Sequence, residues 1–272
     1  MFGLKKAQKV LLSTGPKKIS IASNRQDVVD LAIKAWENIK SKKVKIENLI
    51  FVSQNFRYKF PANSAVFLAK VKIKNIKKVF DLNSACTGFL DAMEIANGLK
   101  GNTLIINSET YSKNINKFDR SVSTIFADGA SAFIFEKKKY LMKFYSDVHP
   151  ELYQHLMCEH KKNMKMNGAE VYQFVKNNVY PSLEKIYTKN KSTVKTIFLH
   201  QGSKFVCNFF KRKFQKYKVQ IPENISKRGN TVSATIPILI HDHLKNKKIN
   251  GDILMCGFGV GLNYKIVLLK KK

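Results

Sequence analysis

Acidic residues are scarce in this chain. Its 272 residues include 19 aspartates and glutamates against 49 lysines and arginines, which gives a formal net charge of +30 at pH 7. Only five of the basic residues are arginine, a skew typical of AT-rich coding, but codon bias does not explain the shortage of acidic residues. Codon bias is the first interpretation of the charge, and an acidic macromolecular partner is the alternative that stays open. A non-enzymatic protein that binds nucleic acid is a weaker alternative, because the lysines are spread along the chain and no nucleic-acid-binding motif accompanies them.

Cysteines and long apolar runs are also few. The four cysteines, Cys86, Cys158, Cys207 and Cys256, lie far apart and form no C-x-x-C pair, so we expect neither disulfides nor a zinc site. No segment approaches the ~20 apolar residues of a membrane span. The apolar run at residues 10–12 is too short for the core of a signal peptide. These absences predict a cytoplasmic protein without a membrane span.

Strand-like and helix-like patterns alternate along the chain. In the first half, apolar spacing predicts helices over residues 25–40, 61–70 and 86–99, and strands over residues 48–53, 79–83, 103–107 and 131–135. In the second half, it predicts helices over residues 168–189, 203–214 and 232–244, and strands over residues 196–199, 253–256 and 262–269. Residues 136–166 are the least periodic and are interpreted as a linker. The alternation predicts an α/β fold with buried parallel or mixed sheets, divided into residues 1–136 and 137–272.

The densest chemical signal is a cysteine at the junction of a strand and a helix. Cys86 follows the strand-like run 79–83 through small residues and opens the helix-like run 86–99. The helix dipole and the free N–H groups at a helix start favour a thiolate, so we expect the pKa of Cys86 to be lowered toward neutrality. Taken alone, the pattern is more typical of a buried cysteine at a tight packing point.

Three further segments change this interpretation when they are considered together with Cys86. They are LHQG at residues 199–202, RGNTVSA at residues 228–234 and GFGVGL at residues 257–262. Each has an ordinary structural interpretation, respectively a polar strand end, a Gly-Asn turn and a glycine-rich turn between strands. Their joint occurrence in this order is far more specific than any one of them.

These segments resemble the type III β-ketoacyl-acyl carrier protein synthases of the thiolase superfamily. The resemblance runs from residue 14 to the C-terminus and also includes residues 60–61, 118–120, 126–130 and 166–172. It implies a thiolase-like, five-layered αβαβα fold built from two similar halves, with the nucleophile Cys86 in the first and His200 and Asn230 in the second. It also implies a homodimer, in which the loop near Phe60 shapes the acyl pocket of the neighbouring subunit.

The resemblance implies a decarboxylative Claisen condensation. Cys86 would take an acyl group from a thioester of coenzyme A or acyl carrier protein, and the carbanion from malonyl-acyl carrier protein would attack the acyl-enzyme. The backbone N–H groups of Cys86 and Val260 are assigned to the oxyanion hole, and His200 and Asn230 to stabilisation of the enolate. No metal and no redox cofactor are implied.

The resemblance also assigns residues that bind substrate and partner. The substrate-binding positions are Gly168 and Tyr172 in the pantetheine tunnel, Arg120 near its mouth, Phe60 and Phe258. Lys211, Arg212 and Lys213 fall where relatives dock acidic acyl carrier protein. We therefore expect a carrier-protein thioester to serve as acyl donor as well as extender.

Two departures and one alternative qualify this expectation. Gly202, Ser203 and Lys204 stand where the family commonly has an Ala-Asn pair and an arginine that hold the pantetheine arm, so one contact is in doubt. Only 13 residues precede Thr14, where the family places a strand and a helix that clamp the adenine of coenzyme A. The alternative function is a thiolase-fold acyltransferase that passes the acyl group to an alcohol or amine. Asn230 argues against it, because relatives of that kind tend to lose the asparagine.

Overall fold

The computed structural model describes residues 10, 12–40, 44–136 and 140–271. The strands are β1 (Ile46–Val52), β2 (Lys78–Leu82), β3 (Asn102–Glu109), β4 (Gly129–Phe135), β5 (Tyr140–Val148), β6 (Leu156–Met157), β7 (Lys165–Met166), β8 (Val194–Leu199), β9 (Asp252–Gly259) and β10 (Asn263–Lys271). The helices are α1 (Val28–Glu37), α2 (Asn63–Val71), α3 (Gly88–Gly98), α4 (Arg120–Ser123), α5 (Gly168–Phe174), α6 (Tyr180–Asn190), α7 (Lys204–Phe214), α8 (Ile225–Arg228) and α9 (Thr235–Leu244). Within this part of the chain, no helix combines the length and the apolar character needed to cross a bilayer.

Two four-stranded mixed sheets form the frame of the molecule. The first has the order β2-β1-β3-β4, in which β1 pairs parallel with β2 and β3, and β4 runs antiparallel to β3. The second has the order β5-β10-β9-β8, in which only β8 and β9 are parallel. Both predicted sets of strands are therefore present, and each sheet is built from its own half of the chain.

The interpretation of residues 136–166 as a linker is wrong. This segment contains the long strand β5, which pairs with β10 along nine residues, and the small β6–β7 pair. β5 lies at a sheet edge, and most of its side chains are exposed. Because an edge strand that buries few side chains needs no regular apolar alternation, the sequence carries little signal for it.

The sheets and helices stack in five layers, as predicted. Residues 49–52 of β1 are all buried, and alternate side chains enter two different apolar clusters on the two faces of the first sheet. Helices α1 and α2 cover the outer face of this sheet, α3 and α9 fill the space between the sheets, and α6 and α7 cover the outer face of the second sheet. Continuous apolar runs in the strands follow from burial on both faces.

The two central helices begin in the same way. A 3₁₀ turn at Ala85–Thr87 leads into α3, and a 3₁₀ turn at Val232–Ala234 leads into α9. The first residue of each turn has a positive φ, 43° at Ala85 and 54° at Val232. Positive φ is rare for any residue other than glycine and is a genuine outlier for a β-branched residue. Such strained backbone persists only where the surrounding structure holds it, and it is common at functional sites. The two turns are therefore candidates for a functional site.

Candidate active site

Cys86 lies in the first 3₁₀ turn, between β2 and α3, and is only 4% exposed. The end of β9, from the second sheet, passes directly over it. A Cβ atom at Gly259 would lie 2.7 Å from Cys86 Sγ, and one at Gly257 would lie 2.7 Å from the Cys86 carbonyl oxygen. Glycine at both positions is therefore what allows β9 to approach the thiol, which explains the glycine-rich segment that was noted in the sequence.

Two backbone N–H groups face the sulfur. The N–H groups of Val260 and of Cys86 itself both form hydrogen bonds that favour the Cys86 thiolate. These are the two groups that the sequence assigns to an oxyanion hole. Two N–H donors that converge beside a nucleophile can also accept the negative oxygen that develops on a carbonyl carbon attacked by that nucleophile.

The predicted lowering of the Cys86 pKa is wrong for the protein without a bound acyl group. Burial, with a smaller contribution from Glu109 where that group is ionised, raises the pKa of Cys86 to about 12, against the two N–H groups that lower it. The physical reason is that the turn excludes water and brings no cation to the sulfur, so desolvation outweighs the N–H groups. Cys86 is a neutral thiol in this state.

His200 follows β8 and is 2% exposed. Burial lowers its pKa to about 3, so the imidazole is neutral at pH 7. Its Nδ1 lies 2.7 Å from the hydroxyl oxygen of Thr235, and the Phe258 ring packs edge-on against it with centroids 5.4 Å apart. Thr235 and Phe258 therefore hold the imidazole ring on two sides, and the sequence analysis did not predict either contact.

Asn230 is 3% exposed and lies between the two halves. Its backbone N–H donates to the Ile125 carbonyl oxygen at 2.9 Å, and its own carbonyl accepts from the Ala127 N–H at 2.9 Å. The side-chain Oδ1 accepts from the Val232 N–H at 2.9 Å, and Nδ2 lies 3.4 Å from the Gly202 carbonyl oxygen. A Cβ atom at Gly202 would lie 3.9 Å from His200 Nε2, so the Asn230 amide and the His200 ring share one neighbour.

Sequence analysis missed a buried polar cluster beside Cys86. Glu109, at the end of β3, is fully buried, accepts from the Ser233 hydroxyl at 2.7 Å, and accepts from the Gln54 N–H at 3.1 Å. The Tyr111 hydroxyl hydrogen bonds to Gln54 Oε1, and the Tyr111 ring stacks on Phe126. The only signal for this cluster in the sequence is a glutamate that ends a strand-like apolar run, which is not specific.

A cavity of about 1460 Å³ opens beside the oxyanion-hole candidates. Its lining includes Val260, Gly261, Asn83, Gln54 and Tyr111. Cys86, His200 and Asn230 are not among the described residues that line it, so the cavity reaches the site through Val260 and not through the thiol itself.

The predicted substrate-binding residues are distributed over several elements. Phe258 is buried against His200, and Tyr172 packs edge-on against Phe205 and Phe209 of α7, with centroids at 4.8 and 5.5 Å. Gly168 and Arg120 are the first residues of α5 and α4. Phe60 is 79% exposed, which is compatible with its predicted contact across a subunit interface and not with a place in this subunit's core.

The predicted docking residues Lys211, Arg212 and Lys213 all lie in the last turn of α7. Lys211 forms an ion pair with Glu223 at 2.7 Å, and Lys213 lies over the Tyr180 ring, 5.3 Å from its centroid. Part of the positive charge in this patch is therefore offset by contacts within the chain.

Comparison with known proteins identifies relatives of both halves. The family model of 3-oxoacyl-[acyl-carrier-protein] synthase III matches residues 80–148, and the model of the C-terminal part of the same family matches residues 187–271. Together the two matches cover more than half of the chain. They include Cys86 in the first, and His200 and Asn230 in the second.

Individual relatives agree with the family models. The chain is 31% identical over 212 residues to a β-ketoacyl-[acyl-carrier-protein] synthase III of Clostridium botulinum (strain Okra), covering 68% of this chain and 65% of the relative. It is 28% identical over 238 residues to the enzyme of that name from Aquifex aeolicus, covering 83% and 77%. The chain thus spans about 65% of the length of the Clostridium relative.

Solved structures agree on the fold. A 3-oxoacyl-(acyl-carrier-protein) synthase III superposes with a TM-score of 0.89 at 23% identity, covering 97% of this chain and 91% of the other. The Aquifex aeolicus enzyme superposes with a TM-score of 0.85 at 26% identity, covering 97% and 90%. These similarities confirm the predicted thiolase-like fold, and with the family matches in both halves the chain belongs to the 3-oxoacyl-[acyl-carrier-protein] synthase III family.

Proposed function

We propose that this protein catalyses the decarboxylative condensation of an acyl group on Cys86 with malonyl-acyl carrier protein. The observation that carries the proposal is the convergence of two backbone N–H groups on the Cys86 sulfur, with neutral His200 and Asn230 on the adjoining segments of the second half. This arrangement provides a nucleophile, an oxyanion hole and two uncharged hydrogen-bond donors.

Acyl capture is the first half-reaction. The Cys86 sulfur attacks the carbonyl carbon of an acyl thioester, the C–S bond of the donor breaks, and the proton of the Cys86 thiol leaves on the departing pantetheine thiol. The N–H groups of Cys86 and Val260 stabilise the tetrahedral oxyanion. Because the pKa of Cys86 is raised to about 12 before substrate binds, deprotonation of the thiol is coupled to this attack rather than completed beforehand.

Condensation is the second half-reaction. Loss of carbon dioxide from the malonyl group leaves an enolate, whose oxygen is stabilised by donors from His200 and Asn230. The carbanion then attacks the acyl carbon, a carbon–carbon bond forms, and Cys86 is released as a thiolate. Removal of one such preorganised donor typically costs about 10² to 10³ in rate.

The tautomer of His200 depends on Thr235 in this mechanism. A neutral imidazole carries one proton, and the proposed role requires it on Nε2. The Thr235 hydroxyl lies 2.7 Å from Nδ1 and 2.9 Å from the Val232 carbonyl oxygen. The carbonyl oxygen can only accept, so the hydroxyl has one proton for two acceptors. Nε2 is protonated only when the hydroxyl turns from the Val232 carbonyl oxygen to donate to Nδ1, and the proposed role of His200 requires this orientation of Thr235.

An acyl carrier protein is the proposed partner, and a homodimer the proposed assembly. The basic last turn of α7 provides charge complementary to an acidic carrier protein. Along the outer edge strand of the first sheet, Val79 and Phe80 of β2 are 42% and 36% exposed, and exposed apolar residues on an unpaired strand edge favour pairing with a second copy.

Two measurements on one sample test the proposed function. Intact-protein mass spectrometry after exposure to a panel of acyl thioesters reports acyl capture, and labelled carbon dioxide from malonyl-acyl carrier protein reports condensation. We expect both. Acyl capture without carbon dioxide release, followed by transfer to an alcohol or amine, would favour the acyltransferase alternative.

A further inference from the structure

Glu109 is a buried carboxyl group that the mechanism above does not use. It is the last residue of β3, in the first half, and has no exposed surface. A buried carboxyl group is costly unless hydrogen bonds satisfy it, so its partners indicate what it holds in place. One of them, Ser233, belongs to the other half of the molecule.

Ser233 lies within residues 230–235, here called the donor turn, a segment that contains Asn230 and contacts His200 through Thr235. Within it, the Val232 N–H donates to Asn230 Oδ1 at 2.9 Å, which leaves the amide Nδ2 as the donor end of the side chain, 3.4 Å from the Gly202 carbonyl oxygen. At its other end, Thr235 contacts both the Val232 carbonyl oxygen and His200 Nδ1. The orientation of both donors therefore depends on the conformation of Val232.

Val232 has a φ of 54°, a conformation that a β-branched residue rarely adopts. The adjacent Ser233 side chain is tied to Glu109 Oε1 at 2.7 Å, and Glu109 Oε2 accepts from the Gln54 N–H at 3.1 Å. The carboxyl group thus bridges the donor turn to the segment after β1. Its hydrogen bond to Ser233 joins the first half of the chain to the residue that follows the strained Val232.

We infer that Glu109 is a positioning residue: its hydrogen bond to Ser233 holds Val232 in the left-handed conformation and thereby aims the Asn230 amide and the Thr235-bound His200 ring at the enolate. The inference rests on the proposed function of Asn230 and His200. It assigns Glu109 to condensation and not to acyl capture.

The protonation of Glu109 fits this role. Burial raises its pKa to about 8, with a further contribution from Asp128, while Ser233, Gln54 and Ser53 lower it. At neutral pH the group is therefore mostly an uncharged acid. Its oxygen can accept from the Ser233 hydroxyl or its O–H can donate to that hydroxyl, and it places no negative charge beside Cys86. A glutamine has the same shape and can accept from the Gln54 N–H while donating to Ser233 Oγ.

The test measures both half-reactions in Glu109→Ala and Glu109→Gln, with Ser108→Ala as the matched control. Ser108 is the buried neighbour on the same strand, and its hydroxyl bonds to the Val28 carbonyl oxygen at 2.7 Å, away from the donor turn. We expect Glu109→Ala to slow condensation by roughly ten- to a hundredfold while acyl capture stays within about threefold, as expected for loss of a buried hydrogen bond that supports the donors. Glu109→Gln restores condensation, and Ser108→Ala changes neither half-reaction.

A second readout does not depend on activity. Hydrogen exchange followed by mass spectrometry reports the amides of residues 230–235, and we expect Glu109→Ala and Ser233→Ala to accelerate their exchange by roughly tenfold or more, with no larger effect in the double variant. Glu109→Gln and Ser108→Ala leave this exchange as in the wild type. If the wild-type protein neither captures acyl groups nor condenses, the proposed function fails, and the exchange data still decide whether Glu109 holds the turn. Unchanged exchange in Glu109→Ala, or equal loss of the two half-reactions, would overturn the inference.

Discussion

The two turns that begin the central helices have nearly the same backbone and different chemistry. Ala85–Thr87 and Val232–Ala234 are both 3₁₀ turns with a positive φ at the first residue, and they pack against each other between the sheets. The second residue is Cys86 in one turn and Ser233 in the other. The Cys86 side chain faces two N–H groups, whereas the Ser233 side chain is tied to Glu109.

Under the proposed function, this difference divides one reaction between two halves of similar fold. In the described residues the Cys86 side chain is bonded to no other side chain, as the proposed nucleophile requires. The Ser233 side chain is bonded to Glu109, which fits the proposed role of an anchor for Asn230 and Thr235. Electrostatics follow the same division. Burial in the first turn suppresses charge on the Cys86 thiol, and the imidazole of His200, which the segment after the second turn contacts, is also uncharged.

The largest effect is expected when Cys86, the proposed nucleophile of the first turn, is replaced. Cys86→Ala removes the sulfur that faces the two N–H groups, so acyl labelling should fall to zero. The control is Cys158→Ala, because Cys158 is the one exposed cysteine and lines the cavity that reaches Val260, which makes it the strongest chemical competitor. Intact mass spectrometry checks both variants. Labelling that survives Cys86→Ala and disappears in Cys158→Ala would place the nucleophile elsewhere.

The next prediction concerns the tautomer of His200. Thr235→Val keeps the shape of the side chain and removes the hydroxyl 2.7 Å from Nδ1. Condensation should fall by about ten- to a hundredfold, because the proton is no longer directed to Nε2. Thr235→Ser, which keeps the hydroxyl, should retain most of the rate. Equal rates in the valine and serine variants, measured as carbon dioxide release, would rule out this role.

Much of this division could be predicted from the sequence, and part could not. Cys86 stood out at a junction of strand and helix, whereas the roles of Cys86, His200 and Asn230 and the pairing of Cys86 with Val260 came from the resemblance of several motifs to a known family. The raised pKa of Cys86 was not predicted, since desolvation depends on how β9 closes over the thiol.

Contacts between distant segments were also beyond the sequence. Glu109 and Ser233 are separated by 124 residues; Glu109 belongs to no recognised motif, and Ser233 lies in the RGNTVSA segment but was assigned no role. The strand β5 was missed for a related reason, because its pairing with β10 and not its own apolar pattern defines it. Motifs in the sequence therefore pointed to the reactive side chains, but not to the long-range contacts that hold them in position.

A smaller effect is expected in the pH dependence of stability. Because the pKa of Glu109 is raised from 4.5 to about 8, the folded protein keeps a proton that the unfolded chain loses. This group's contribution to the free energy of unfolding is fully present below pH 4.5 and is lost as the pH rises to about 8, by on the order of a few kcal/mol. Urea denaturation at pH 5, 7 and 9 should show that loss in the wild type and not in Glu109→Gln. Parallel pH profiles would contradict it.

The smallest effect is expected at the surface of α7. Exchange of Lys211, Arg212 and Lys213 for glutamate should slow acyl transfer from a carrier-protein thioester several-fold at low salt and leave transfer from coenzyme A unchanged. The same exchange at the exposed Lys245, Lys247 and Lys248 provides a control with equal charge change. Stopped-flow acylation across a salt series checks this. Faster transfer from coenzyme A than from the carrier protein in the wild type would defeat the expectation of a carrier-protein donor.

The central claim is that the first turn captures the acyl group and the second turn drives condensation, and Asn230→Ala tests it most directly. Acylation of Cys86 and release of carbon dioxide from malonyl-acyl carrier protein are measured on the same folded sample of this variant and of the wild type. We predict that acylation persists at close to the wild-type rate while carbon dioxide release falls by roughly 10² to 10³. Equal loss of both half-reactions in a folded protein, or undiminished carbon dioxide release, would contradict the division of roles.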